Sequence, residues 1–216
     1  MKSSFKFWAV FAALLCLPVI TRANVTIPVG ADEIFADNTG TTAAPAGSLV
    51  LLVADTTGAG FKNLLTGNIA VGATVDFGSN DLVVARFTLT SPGLLDSTTG
   101  SISLSGAWDA GDPLAIYWLP SLTSADNNVG LGVAYGRYTD QVGIGGSAPW
   151  ITPPDSNTAG LMFFQSSNDD FFGSPSVPTS TGFSAFTTIP EPSTFALLGG
   201  VMALGIAVWR RRRKLA

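Results

Sequence analysis

Histidine is absent from this 216-residue chain, and cysteine occurs once, as Cys16. Without histidine there is no Ser-His-Asp or Cys-His pair for nucleophilic catalysis, and no imidazole to ligate zinc. Cys16 lies inside an apolar N-terminal block. Loss of that block leaves no thiol for a disulfide or a metal. The fold is then expected to rest on an ordinary core, with no cofactor and no metal. Basic residues are also scarce in the long middle of the chain. Residues 24–189 hold only Lys62, Arg86 and Arg137 against 14 acidic side chains, a net charge of −11 compared with −4 for the whole chain. Such a domain repels phosphate backbones and anionic lipid surfaces, which argues against nucleic acid as a partner. Periodic runs of helix length are missing from this middle part as well. Only "GFKNLL" (60–65) reads as a helical turn.

The N-terminus has a different composition. Lys2 and Lys6 precede "WAVFAALLCLPVI", a 13-residue apolar block from Trp8 to Ile20. Thr21 and Ala23 then stand at the −3 and −1 positions before Asn24. A basic start, a short apolar block and a small-residue exit predict a secretory signal peptide over 1–23, handled by the Sec machinery and signal peptidase. The block falls short of the roughly 20 apolar residues of a membrane span.

What the middle does have is short apolar or alternating runs, set between clusters of Gly, Asn, Asp, Ser, Thr and Pro. The clearest are "SLVLLVAD" (48–55), "NIAVGATVDF" (68–77), "DLVVARFTLTS" (81–91), "GSISLSGAW" (100–108), "PLAIYWLP" (113–120), "NVGLGVAYGRYT" (128–139) and "GLMFFQSS" (160–167). "NVTIPV" (24–29) opens the domain and "GFSAFTTI" (182–189) closes it. "FGSND" (77–81) has the look of a hairpin connection. Many short strands joined by glycine-rich turns predict one mainly β domain over 24–189, an antiparallel β-sandwich or jelly roll. "QVGIGGSAPWITPPDSNTAG" (141–160) reads as a long exposed loop, and "GSPSVPTSTG" (173–182) as a second loop.

Candidate chemistry is thin. "DTTG" (55–58) and "DSTTG" (96–100) are similar to the Asp-Thr-Gly loops of aspartic proteases, but extra residues separate each acid from its glycine. Threonine-rich turns account for both. "GLGVAYG" (130–136) and "GIGG" (143–146) lack the following helix of a phosphate loop. Asp169 and Asp170 offer oxygen to calcium without the full spacing of a calcium loop. The remaining aspartates read as solvated turns. Aromatics are a further group, and Trp150, in the long loop, is the best placed to be exposed and to touch a sugar ring. No catalytic residue is assigned and no enzyme is expected. The alternative is a secreted carbohydrate-active enzyme or sugar-binding module using aspartates and aromatics.

The tail reverses the charge pattern. Pro190, Glu191 and Pro192 precede an uncharged stretch from Ser193 to Trp209, 17 residues long. Arg210, Arg211, Arg212, Arg213 and Lys214 follow. As a helix that stretch spans about 25 Å, slightly less than a typical hydrocarbon core. The basic cluster is a stop on the cytoplasmic side, so the expected topology is N-terminus out and C-terminus in. The three parts together resemble the PEP-CTERM sorting signal of Gram-negative bacteria, over residues 190–216. The resemblance implies recognition of Pro190, Glu191 and Pro192 by an exosortase, a membrane-embedded transpeptidase-like enzyme. It also implies removal of the transient transmembrane helix and passage to the cell surface or an exopolysaccharide matrix.

Overall fold

The computed structural model describes residues 24–76, 80–104, 108–140, 149–158, 160–163 and 182–188. The expected signal peptide and sorting tail lie outside the described residues. Within these, the fold is mainly β and has no α-helix. The strands are β1 (Asn24–Val25), β2 (Pro28–Ala31), β3 (Leu49–Ala54), β4 (Gly67–Asn68), β5 (Leu82–Thr88), β6 (Leu95–Thr98), β7 (Ile102–Ser103), β8 (Leu114–Leu119), β9 (Asn128–Val129), β10 (Ala134–Tyr138), β11 (Leu161–Phe163) and β12 (Phe186–Thr187).

The largest sheet has the order β12-β10-β8-β3-β5, with every neighbouring pair antiparallel. A second sheet has the order β11-β2-β6. Its β2–β6 pair is antiparallel, but β11 runs parallel to β2, a departure from the all-antiparallel expectation. Two short ladders, β1–β7 and β4–β9, complete the set.

Strands β3 and β8 explain the layering. Every residue of "LVLLVA" and "LAIYWL" is buried. Successive strand side chains point to opposite faces, so a continuous apolar run needs cover on both. Val50, Leu52, Ala54, Leu114, Ile116 and Trp118 share an apolar layer with Val29, Ala31, Leu95 and Leu161 of the three-stranded sheet. Leu49, Leu51, Val53, Ala115, Tyr117 and Leu119 face the other way, against Leu64, Ile69, Val75 and Val129. The large sheet therefore sits between the small sheet on one side and connecting segments with the β4–β9 ladder on the other.

Several expectations are corrected. "GFKNLL" forms no helical turn; Leu64 instead makes an isolated antiparallel bridge to Asp76, and its N–H donates to the Tyr135 hydroxyl at 2.9 Å. "NIAVGATVDF" is not a long strand: only Asn68 belongs to one, and bridges at Thr74 and Asp76 hold the rest. Asp96, Ser97 and Thr98 of "DSTTG", read as a turn, belong to strand β6. "NVGLGVAYGRYT" divides into β9 and β10, with Gly132 turning at φ +73° between them. The described half of the expected exposed loop is tied down. Trp150 N–H donates to Asp140 O, Leu114 N–H to Trp150 O and Thr152 N–H to Asp112 O.

Candidate functional site

Aspartates are the chain's main reserve of reactive groups, and the fold uses most of the described ones structurally. Asp55 follows β3 and is buried. Its carboxylate accepts backbone N–H bonds from Thr57 at 3.0 Å, Gly58 at 2.8 Å and Gly60 at 2.7 Å. Burial alone would raise its pKa, but these donors favour the anion and hold it below the usual carboxylate range. "DTTG" is thus a satisfied turn. In "DSTTG" the buried Thr99 hydroxyl accepts the Ile27 N–H at 2.8 Å. Asp126 accepts both the N–H and the hydroxyl of Thr123, and these bonds, with Arg86 nearby, keep its pKa low.

Asp76 and Asp81 differ from these. They flank the connection between the 73–76 segment and β5, with 7% and 0% of their surface exposed. Asp81 N–H donates to Asp76 Oδ1 at 2.9 Å, while Asp76 Oδ2 is buried with no hydrogen-bond partner. Reading aspartate as a solvated turn residue missed this pair.

The aromatics are core residues. Trp108, Trp118, Trp150, Tyr117 and Tyr135 are fully buried. Trp150, expected at the surface, is 1% exposed and packs edge-on to Tyr138 with ring centroids 5.0 Å apart. Its exposure, and with it the sugar contact assigned to it, is corrected. Trp108 Nε1 donates to the buried Thr152 hydroxyl at 2.7 Å. Burial and the nearby Asp140 push Tyr138 up to about 12. The Arg137 guanidinium lies over the Tyr117 and Phe186 rings, at 5.8 and 5.2 Å from their centroids. The most exposed large apolar side chains among the described residues are Val71, Leu94, Leu131 and Ile151, none of them aromatic.

An open groove of about 800 Å³ runs between β5 and the β6–β7 segment. Hydroxyls of Thr88, Thr90, Ser97, Thr98, Ser101 and Ser103 line it, and Arg86 is its one charged lining residue. A smaller cavity of about 360 Å³ adjoins Thr66, Asn68 and Thr74.

The domain's two ends are anchored. Asn24 N–H donates to Asp155 Oδ1 at 2.8 Å. At the other end Thr188 is buried and latched to the segment before β10. Its N–H donates to Val133 O, its carbonyl accepts from Gly132, and its hydroxyl donates to Gly130 O at 2.6 Å. "GLGVAYG" is therefore a turn and a strand entrance that hold the C-terminal end. The family model of the PEP-CTERM protein-sorting motif matches residues 188–213. The chain carries this sorting motif. That makes it an exported protein recognised at the membrane by an exosortase. No curated protein and no solved structure matches the chain significantly. Pro190, Glu191, Pro192 and the basic cluster Arg210–Lys214 fall outside the described residues, as do Asp169, Asp170 and "GIGG". Among the described residues no helix is long and apolar enough to cross a membrane.

Proposed function

We propose that the chain is a non-enzymatic surface or extracellular-matrix protein, delivered as one β-sandwich domain through its PEP-CTERM tail. The observation that carries this reading is the sorting motif at 188–213. The apolar layer shared by the two sheets supports the sandwich architecture. Asn24 supports export through a cleaved signal peptide ending at Ala23. Cleavage there turns the Asn24 nitrogen into an ammonium, with the Asp155 carboxylate already 2.8 Å away. Two features support a role without catalysis. Neither the groove nor the smaller cavity has a carboxylate in its lining. Asp55 is spent on backbone donors.

In this reading Ser193–Trp209 crosses the inner membrane for a time, N-terminus out, with Arg210–Arg213 and Lys214 as the stop. Pro190 and Pro192 lack N–H donors and keep their neighbours extended, a form that an enzyme cleft can grip. Exopolysaccharide is the natural surrounding of the released domain. The test changes Pro190, Glu191 and Pro192 together to alanine in the native host. Export should persist while the full-length protein stays in the membrane fraction. Replacing Arg210–Arg213 with serine should instead release uncut protein. Normal release at normal intact mass from the triple-alanine variant would overturn the reading.

A further inference from the structure

We propose that the open edge of β5 is a docking site for a short, extended, carboxylate-bearing peptide segment of a partner protein, which adds to the large sheet as one further strand. The site belongs to the folded domain and is independent of how the tail is processed. β5 ends the order of the five-stranded sheet, with β3 as its one strand neighbour among the described residues. Backbone groups alternate in direction along an antiparallel strand. Leu89 N–H donates to Ser48 O and its carbonyl accepts from Gly47, so Leu89 points toward β3. By the same alternation Phe87 and Ala85 point there too, and Arg86, Thr88 and Thr90 point outward. Before the register shift at Val84, Val83 is the outward residue. Both ends of this edge are taken. Val83 exchanges bonds with Gly72 and Ala73 at 2.8 and 2.9 Å, and Thr90 N–H donates to Leu94 O at 2.9 Å. Between them, no described residue pairs with the backbone N–H and C=O of Arg86 and Thr88. Such an edge is a template for another strand.

The surroundings select the occupant. The open stretch, residues 85–89, is about 17 Å long. It borders the groove of about 800 Å³, so a strand has room to enter. A second β5 does not fit, because it carries the same closures at Val83 and Thr90 and these would meet those of the first. A short segment that leaves the edge at both ends does fit. The far wall of the groove carries the hydroxyls of Ser97, Thr98, Ser101 and Ser103, and its one aromatic, Phe87, is 8% exposed. That leaves no broad ring face for a sugar to stack on. Charge supplies the rest. No carboxylate lines the groove, and Arg86 is its one charged residue. The Arg86 guanidinium donates to Asn127 Oδ1 at 2.6 Å and to the carbonyls of Ser124 and Asp126, all of them neutral acceptors. These bonds turn it off the edge and leave its charge to attract an anion. A strand residue opposite Arg86 exchanges backbone bonds with it and shares its face of the sheet, where a carboxylate complements the guanidinium. The residue opposite Phe87 falls on the other face, toward the hydroxyl wall.

The experiment follows backbone amides by NMR in the isotopically labelled, processed protein purified from its host. In the free protein the Arg86 and Thr88 amides should exchange with solvent far faster than those of Ala85 and Phe87, which are bonded to β3. The probe is the capped peptide acetyl-Thr-Val-Thr-Asp-Thr-amide, whose β-branched residues favour a strand. Its addition should move the Arg86 and Thr88 amide resonances downfield and slow their exchange. A counterpart with lysine in place of aspartate should bind about tenfold more weakly at low salt, and the difference should shrink in ~0.5 M sodium chloride. These comparisons need no protein variant to fold. Thr88→Pro removes an outward N–H that the fold does not use, and proline is tolerated on an edge strand, so this variant should keep its fold and lose the peptide response. Arg86 and Thr88 amides already protected in the free protein would overturn the proposal, as would peptide shifts that are absent or lie elsewhere. Equal binding of the lysine peptide would overturn the acidic chemistry. Shifts along the groove with polygalacturonate but none with the peptide would assign the groove to a polysaccharide and overturn strand addition.

Discussion

Asp55 and Asp76 carry the same side chain in opposite surroundings. Asp55 ends β3 and collects backbone donors from Thr57, Gly58 and Gly60. Its pKa is lowered in the fold, so it binds a proton less readily there than in the unfolded chain. A lowered folded pKa contributes stability above the unfolded value, near 3.9, and that stability is lost as pH falls through the folded value. Asp55→Ala should therefore cost about 2–3 kcal/mol at neutral pH, since it strands three N–H groups around a buried position. The loss should shrink as the pH is taken below about 4, where the carboxyl of the unfolded chain takes up a proton first, and should go on shrinking until the folded carboxylate is protonated too. Thermal melts of both proteins across that range check the prediction. A loss independent of pH would mean that the side chain acts through packing and not through its charge. Neither aspartate announces its surroundings in the sequence. "DTTG" and "DFGSND" are both polar and glycine-containing, and both read as solvated turns. Burial is imposed by what folds over them.

At the scale of strands, the alternation of side chains is modified by one irregularity. In the β3–β5 ladder the register shifts between Leu52, opposite Ala85, and Val53, opposite Val83. Val84 is the extra residue, and it turns the parity of β5 over: Val83 joins the outer core while Val84, Ala85 and Phe87 face the inner one. A bulge of this kind bends the strand and raises its twist. β10 carries a second constraint. Gly136 pairs with Trp118 of β8, and a Cβ at Gly136 would overlap the Trp118 indole. Gly136→Ala should thus destabilise by ~1–3 kcal/mol even though alanine suits a strand better than glycine does. A chemical denaturation midpoint measures it, with Gly130→Ala, where a Cβ meets nothing, as the control. Equal midpoints for the two variants would refute the close-packing account. "PLAIYWLP" and "SLVLLVAD" were legible as strands because unbroken apolar runs are hard to place otherwise. The strand at Asp96–Thr98 was not legible, because it comes from pairing with β2 and not from its own composition.

Across the whole molecule, little sequence separates the domain from the sorting tail. Thr188 is the last of the described residues and is held by the domain, and the Pro-Glu-Pro segment starts two residues later in the sequence. Two extended residues reach about 7 Å. If the exosortase acts at Pro190–Pro192, as proposed above, that short reach keeps it close to the folded domain. Inserting a flexible Gly-Ser segment of about six residues after Thr188 should speed conversion of full-length to processed protein, at unchanged export. Pulse-chase labelling with intact mass reads both quantities. An unchanged conversion rate would show that the domain does not restrict the enzyme.

The sorting motif at the C-terminal end, and the signal peptide expected at the other, rest on local composition: Pro190–Pro192 ahead of an uncharged run and five basic residues, and Lys2 and Lys6 ahead of a short apolar block. Membranes and processing enzymes read such segments as extended or helical stretches, so linear order is enough to specify them. The mainly β character was likewise carried by short runs and turn residues. Tertiary structure alone decided which polar and aromatic groups face water. Trp150 sits between two prolines' worth of loop sequence yet packs under Tyr138, and Asp76 lies in a polar turn yet loses its solvent. Burial depends on partners far away in the chain, and no local pattern of residues encodes the distance to them.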